Sequence, residues 1–95
     1  IGKRCIIAAM SGVSGSSILE DDVVLAGQVG IADHVILKRG TCIGAKSAVF
    51  PNKIIPGGFW CGIPAEPIED YKRNTALFRG LGRLRDEVRD LKKNG

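Results

Sequence analysis

The sequence predicts an all-β fold, a parallel β-helix, followed by a C-terminal α-helical tail. In the first 60 residues an aliphatic side chain recurs at every sixth position, without exception. Glycine is abundant, with 13 residues, while aromatic residues make up only 5% of the chain. Beyond residue 66 the apolar residues change to helical spacing. The leading residues of the ten hexads are Ile1, Ile7, Val13, Leu19, Leu25, Ile31, Leu37, Ile43, Val49 and Ile55.

A period of six matches neither an α-helix nor a single amphipathic strand. It matches a short strand followed by a tight corner, and three such sides close one triangular coil. Each leading side chain then points inward and stacks on its counterpart about 18 residues away. The fifth position of each hexad is mostly small, as the interior of a corner requires. Residues 1–60 are therefore predicted to form about three coils.

The hexad pattern ends in the segment from Pro56 to Ala65, which is rich in proline and glycine. Proline has no N–H to donate to a strand ladder, so the stack is expected to end there. Phe59 and Trp60 are expected to cap the last coil, and residues 61–66 are expected to form a terminator loop.

Residues 67–95 are predicted to be helical. Pro67 suits the first helical position, and the acidic residues that follow it suit the positive end of the helix dipole. Gly80 and Gly82 each cost about 1 kcal/mol inside a helix, so a break is expected at 80–82. A second helix then places Leu81, Leu84, Val88 and Leu91 at the spacing of a short coiled-coil seam.

The composition excludes several classes of protein. The net charge is +4, with eight basic and five acidic residues in 67–95, and these charges are interleaved. No stacking aromatic residues accompany them, so nucleic-acid binding is not expected. No apolar run approaches the ~20 residues that span a bilayer, so at most a peripheral position near a membrane is expected. Cys5, Cys42 and Cys61 lack a CxxC spacing and are expected to be free thiols in a reducing compartment.

The residues that narrow the interpretation are the stretch LAGQVGIADHVILKRGTCIGAKSAV, the segment GGFWCGIPA and the amphipathic tail, in that order. Across essentially the whole chain this combination resembles the UDP-3-O-(3-hydroxyacyl)glucosamine N-acyltransferase family of lipid A biosynthesis, one branch of the hexapeptide-repeat acyltransferases. The resemblance implies a left-handed β-helix and the C-terminal portion of a cytoplasmic enzyme, or of an organellar one if the source is eukaryotic.

The resemblance also implies what the whole enzyme does. A 3-hydroxyacyl group moves from acyl carrier protein to the 2-amine of a UDP-linked 3-O-acylglucosamine, within a homotrimer whose sites lie between neighbouring β-helices. No cofactor is expected beyond the phosphopantetheine that carries the acyl group on the carrier protein, and no metal is expected. Acyl carrier protein is acidic, so the basic tail suits a docking role.

Amide formation needs a base for the amine proton and hydrogen-bond donors for the oxyanion. By resemblance, His34 is an active-site residue, and Gly15 presents its backbone N–H to the oxyanion. Gln28 and Asp33 are candidate substrate contacts, and Ala48 and Phe50 lie where the family sets acyl-chain length. Candidate carrier-protein contacts are Lys53, Lys72, Arg73, Arg79 and Arg83.

The family's principal base is a different histidine, about two coils before His34, a position that would precede Ile1. The isolated chain is therefore expected to be inactive without the upstream coils, and the family's uridine-recognition domain has no counterpart in it.

Three other interpretations remain open at this point. Another hexapeptide transferase, such as one dependent on acetyl-CoA, would share the coil. A non-catalytic trimerisation module would need only the coil and the tail. A γ-class carbonic anhydrase would need three metal-binding histidines drawn from two subunits, and this chain has one histidine.

Overall fold

The β-helix is built from nine two-residue strands and ends in a hairpin. The computed structural model describes residues 1–94. Its strands are β1 (Ile6–Ile7), β2 (Gly12–Val13), β3 (Ile18–Leu19), β4 (Val24–Leu25), β5 (Gly30–Ile31), β6 (Ile36–Leu37), β7 (Cys42–Ile43), β8 (Ala48–Val49), β9 (Ile54–Ile55), β10 (Phe59–Gly62) and β11 (Ala65–Pro67).

Three sheets form the walls of the stack, and their strands are parallel except for β11. Sheet A contains β1, β4, β7, β10 and β11, sheet B contains β2, β5 and β8, and sheet C contains β3, β6 and β9. From β1 to β6 each strand pairs with the strand one full coil later, as Ile6 pairs with Val24. Two-residue strands have no stability of their own, so each coil depends on the coils above and below it. The predicted parallel β-helix with a helical tail is confirmed, and its left-handed sense stays a prediction.

The corners between the sheets form three edges that run along the stack. The A–B edge contains residues 8–11, 26–29 and 44–47. The B–C edge contains residues 14–17, 32–35 and 50–53, and the C–A edge contains residues 2–5, 20–23 and 38–41. The fourth residue of a hexad usually occupies the left-handed backbone region, which lets the chain turn sharply. The non-glycine residues with positive φ are Arg4, Met10, Asp22, Gln28, His34, Lys46 and Asn52.

The core is the column of inward side chains predicted from the hexads. The leading residues from Leu19 to Ile55 are all at most 5% exposed, and small fifth-position residues such as Val23, Val35 and Thr41 are completely buried beside them. Ile1 and Ile7 belong to the same column but are 79% and 39% exposed. Among the described residues no coil lies beneath these two side chains, so nothing covers them.

The stack ends in a hairpin rather than in the loop that was expected at residues 61–66. β10 adds to sheet A in parallel through Phe59 and Trp60, and then pairs with β11 in antiparallel orientation. The turn between these strands contains a cis peptide bond before Pro64. Trp60 packs partly buried on the core, and its Nε1 donates a hydrogen bond to the carbonyl oxygen of Gly57 at 2.8 Å. The expectation of a loop was wrong because the hairpin depends on pairing that no hexad pattern encodes.

Two helices follow the hairpin, α1 (Ile68–Arg79) and α2 (Leu81–Asn94). The expected break falls at Gly80 alone, and Gly82 lies inside α2. The Gly80 N–H still donates to the carbonyl oxygens of Ala76 and Leu77, both at 3.1 Å, so the two helices are nearly continuous. Residues 81–93 of α2 are exposed throughout, which leaves the predicted seam uncovered in the single chain.

A surface ion-pair ladder joins successive coils along the C–A edge. The Asp22 carboxylate accepts hydrogen bonds from Arg4 Nε at 2.7 Å and Arg4 Nη2 at 3.1 Å, and it lies 3.4 Å from Arg39 Nε. Chiefly through the Arg4 hydrogen bond, these neighbours lower the pKa of Asp22 below its ordinary value of 3.8. A carboxyl group whose pKa is lower in the folded state stabilises the fold above its unfolded-state pKa, and this contribution is lost as the pH falls through the folded-state value.

Acidification should therefore destabilise the protein partly through Asp22. Between about pH 5 and about pH 2, the urea midpoint of the unmodified protein should fall further than that of an Asp22→Asn variant, which has no carboxyl group to titrate. Urea unfolding at a series of pH values measures this difference, with Asp86→Asn in the exposed helix α2 as the control. Parallel pH curves for the Asp22→Asn variant and the unmodified protein would contradict the interpretation.

Candidate active site

The only histidine of the chain lies at the middle coil of the B–C edge. His34 is exposed and takes the left-handed conformation with φ 56°, which directs the corner outward. Its backbone N–H donates to Ser16 Oγ, one coil earlier, at 3.3 Å. One coil later, the Asn52 N–H donates to the carbonyl oxygen of Asp33 at 3.1 Å. The histidine is therefore fixed between two stacked corners while its imidazole faces outward.

Asp33, beside His34, is held by two serine hydroxyls from the preceding coil. Ser14 Oγ donates to Asp33 Oδ1, and Ser16 Oγ lies 3.3 Å from the same oxygen. The hydrogen bond from Ser14 lowers the pKa of Asp33 below its ordinary value, with smaller contributions from Ser16 and from the His34 charge. Hydrogen bonds to the ionised form favour that form. Asp33 is thus a fixed anion next to the imidazole, available to an amine or a hydroxyl group.

Removing the Ser14 hydroxyl should raise the pKa of Asp33. In a Ser14→Ala variant the carboxylate loses its principal hydrogen-bond donor, so the pKa should move up towards the ordinary aspartate value. A 13C NMR titration of the Asp33 carboxyl carbon measures this change directly. Ser11→Ala is the matched control, because Ser11 lies on the A–B edge and its hydroxyl bonds to Ala26. An unchanged Asp33 titration in Ser14→Ala would contradict the proposed cause.

Gly15 lies on the same edge, one coil before Asp33. Gly15 is an exposed residue, and its backbone N–H has no hydrogen-bond partner within residues 1–94. A backbone N–H without a partner can donate to an incoming oxygen. This geometry is compatible with the role in oxyanion binding that the resemblance implies.

The other predicted contact residues of the stack surround the outward face of sheet B. The outward residues of this sheet are Gly12, Gly30 and Ala48, and the two glycines leave open space in front of the strands. Ala48 is half-buried on this face, and Phe50, 46% exposed, begins the third corner of the B–C edge. Lys53 closes that corner. The structure thus brings His34, Gly15, Asp33, Ala48, Phe50 and Lys53 to one side of the stack.

Gln28 lies at the opposite border of the same face. It occupies the A–B edge with φ 61°, one corner away from His34, and its Nε2 lies 4.0 Å from Met10 Sδ. Within one chain, sheet B therefore separates Gln28 from the histidine edge. A ligand that contacts both Gln28 and His34 must lie across the glycine-lined face.

The predicted docking residues of the tail are all exposed on the two helices. Lys72 and Arg79 are seven residues apart in α1 and share one face of it. Arg73 pairs with Asp70 within the same helix, and Arg83 follows in the first turn of α2. These positive charges follow the terminal hairpin in the chain, whereas the histidine edge precedes it.

Sequence reasoning did not find Ser14 and Ser16 as partners of Asp33. The available signal was the 18-residue coil period, which places residues 14–16 directly beneath residues 32–34. The cysteines are free thiols, as predicted. Burial raises the pKa of the Cys42 thiol, with a smaller contribution from Cys61, which disfavours the nucleophilic thiolate. Within residues 1–94 no cluster of side chains has the composition of a metal site.

The fold and the outward-facing histidine edge define a hexapeptide-repeat β-helix protein. No family model matches the chain. The chain is 42% identical over 84 residues to UDP-3-O-acylglucosamine N-acyltransferase of Caulobacter sp. strain K31, covering 86% of this chain and 24% of that protein. The enzyme of the same name from Methylobacterium nodulans is 44% identical over 82 residues, covering 85% of this chain and 23% of that protein.

A third relative matches the chain from end to end. The UDP-3-O-acylglucosamine N-acyltransferase of Hahella chejuensis is 36% identical over 95 residues, which is 100% of this chain and 27% of that protein. The chain is therefore homologous to a portion of the UDP-3-O-acylglucosamine N-acyltransferases, and the resemblance predicted from the sequence is confirmed. It spans about a quarter of the length of these curated relatives.

Proposed function

We propose that this chain is part of an N-acyltransferase that transfers a 3-hydroxyacyl group from acyl carrier protein to the 2-amine of UDP-3-O-acylglucosamine, in lipid A biosynthesis. The observation that carries the proposal is the joint placement on one exposed edge of His34, Asp33 and the Gly15 N–H, which has no partner within residues 1–94. The names of the relatives support the same reaction class.

The reaction forms a C–N bond and breaks the C–S bond of the thioester. The attacking amine must lose a proton, the carbonyl oxygen carries negative charge in the tetrahedral intermediate, and the thiolate leaves. In our proposal the Gly15 N–H donates to that oxyanion, and His34 binds and orients the reacting groups. The resemblance assigns the principal base to another histidine, and His34 is the only histidine in these 95 residues.

The outward face of sheet B is the proposed path of the acyl chain. Its glycine strands leave room beside the stack, and Ala48 and Phe50 lie at its upper end. Ala48 adds only a methyl group at a position where a larger side chain would shorten the path. Asp33 on one border and Gln28 on the other are placed to contact the polar acceptor.

We propose a homotrimer as the working form. The outward ladder of sheet C consists of isoleucines, of which Ile18 and Ile54 are 55% and 61% exposed, and the α2 seam residues are 44–71% exposed. Contiguous exposed apolar surface of this kind favours burial against another chain. Native mass spectrometry of the complete enzyme should give the mass of three chains, and a monomer at micromolar concentration would contradict this proposal.

Acyl carrier protein is the proposed donor partner, and its phosphopantetheine arm is the only carrier group required. Residues 67–95 contain eight basic and five acidic side chains, which favours an acidic partner. Lys53, Lys72, Arg73, Arg79 and Arg83 are the proposed contacts. We place the reaction in the cytoplasm, where the acyl carrier protein and the nucleotide sugar are available. No helix within residues 1–94 is long and apolar enough to cross a membrane.

The test of the function is an acyltransfer assay on the complete enzyme that contains this chain. Mass spectrometry should detect the amide product with 3-hydroxyacyl-acyl carrier protein and UDP-3-O-acylglucosamine, and little product when acetyl-CoA replaces the acyl donor. Turnover with acetyl-CoA alone would favour another hexapeptide transferase. Trimers without turnover on either donor would favour a purely structural module.

A further inference from the structure

A cavity of about 450 Å3 lies where the third coil meets the terminal hairpin and helix α1. Its walls come from residues 45–47 at the A–B edge, residues 61–63 of the hairpin, and Tyr71 of α1. This volume is within the usual range of small-molecule sites. The cavity belongs to a different edge of the stack from His34 and contains none of the residues proposed for acyl transfer.

A buried hydroxyl in the cavity wall has an unused hydrogen. In the lower coils, serines at the fifth hexad position both donate and accept: Ser11 Oγ donates to the Ala26 carbonyl oxygen at 2.8 Å and accepts from the Val29 N–H at 3.2 Å. Ser47 occupies the equivalent position in the third coil and is 3% exposed. Its Oγ accepts from the Gly62 N–H at 3.0 Å, but its hydroxyl hydrogen has no acceptor within residues 1–94.

The unused hydrogen follows from a change of register at the end of the stack. In the lower coils partners are 18 residues apart, whereas Phe59 pairs with Cys42 and so lies one residue closer. Ser11 donates to a carbonyl 15 residues later, but 15 residues after Ser47 the hairpin presents the N–H of Gly62. A buried hydroxyl is normally satisfied in both roles. A ligand with an acceptor atom would satisfy the remaining hydrogen-bonding capacity of the Ser47 hydroxyl.

The charge of the cavity wall indicates which kind of ligand would accept the Ser47 hydroxyl hydrogen. Lys46 lies next to Ser47 at the corner, and it forms no ion pair within the part of the chain that the structure describes. The cavity lining includes no carboxylate. Tyr71 and Ile63 add apolar surface to the lining. The site therefore combines a cation, hydroxyl and thiol groups, and an apolar wall, without an acid.

We propose that this cavity binds a small organic phosphate. The phosphate oxygens accept the Ser47 hydroxyl hydrogen and pair with the Lys46 ammonium group, and the organic part packs on Tyr71 and Ile63. Lysine commonly binds phosphate as a point charge, and a phosphate offers several acceptor oxygens with more than one negative charge near pH 7. The cavity is larger than a phosphate ion alone would fill, which is why an organic part is included.

Isothermal titration calorimetry with n-butyl phosphate tests this site in the whole chain. We expect saturable binding that weakens about tenfold in Lys46→Met and at least about threefold in Ser47→Ala, because each removes one phosphate contact. Lys3→Met is the matched control for loss of one lysine charge, and its affinity should stay within about twofold of the unmodified protein. Thermal melting verifies that each variant is folded.

Three further results decide the proposal. In NMR spectra the phosphate should shift the amide signals of residues 45–47 and 61–63, and n-butanol should not bind. Orthophosphate that binds as tightly as butyl phosphate would overturn the organic part of the proposal. Equal affinity in Lys46→Met and the unmodified protein, or no binding at about 20 mM butyl phosphate, would overturn the site itself.

Discussion

Replacing Ile55 with alanine is expected to lower the free energy of unfolding by about 2–5 kcal/mol. Ile55 is 1% exposed in the column of inward side chains, and the surrounding coils are fixed by ladders on three sides. The stack cannot collapse around the missing atoms without breaking those ladders, so a cavity remains. Chemical denaturation with urea measures the change.

Ile54 is the matched control in the same strand. It is the same residue type on the opposite face and is 61% exposed, so Ile54→Ala leaves no cavity inside the stack. Both variants should be measured at several protein concentrations. Any part of the Ile54 effect that comes from contact between copies will change with concentration, whereas the cost of the Ile55 cavity will not. Equal, concentration-independent losses for the two variants would contradict the inward column.

Replacing His34 with asparagine in the complete enzyme is expected to lower kcat/KM by about 10- to 100-fold. A hydrogen bond to a charged or developing charged group contributes about 1.5–3 kcal/mol, which corresponds to that range of rates. Asparagine is chosen because it tolerates the left-handed backbone that His34 adopts with φ 56°. Steady-state kinetics with both substrates measures the loss.

The stability of His34→Asn separates chemistry from folding. His34 is exposed and contributes only its backbone N–H to the stack, so the urea midpoint should stay close to that of the unmodified enzyme. Asn52→Gly, one coil later on the same edge, tests whether any change at this edge reduces turnover, because glycine tolerates the φ of 64° at this position. An unchanged kcat/KM in His34→Asn would contradict a role for His34 in the reaction.

The stack was predictable because one rule repeats. A single inward aliphatic residue per hexad, with a small residue four places later, determines strand, corner and core together, and Leu25, Leu37 and Ile43 are completely buried as that rule requires. The exposed histidine was predictable for the same reason, because the fourth hexad position is a corner. These features are local, and the stacking only repeats them.

The features that escaped prediction depend on contacts between distant residues. The β10–β11 hairpin needs the one-residue change of register at Phe59, which hexad counting does not reveal. The serine partners of Asp33 come from the coil below and are distant in sequence. Gly82 remains helical because its cost of about 1 kcal/mol is small beside the hydrogen bonding of the surrounding helix.

The central claim is that the acyl chain lies along the outward face of sheet B beside His34. Photocrosslinking tests it most directly, with a carrier-protein thioester whose 3-hydroxyacyl chain ends in a diazirine, bound to the complete enzyme. Peptide mapping should find most of the label within residues 48–53. Every other part of this chain should carry less label. Labelling confined to the outward isoleucines of sheet C or to sheet A, with none on residues 48–53, would contradict the account.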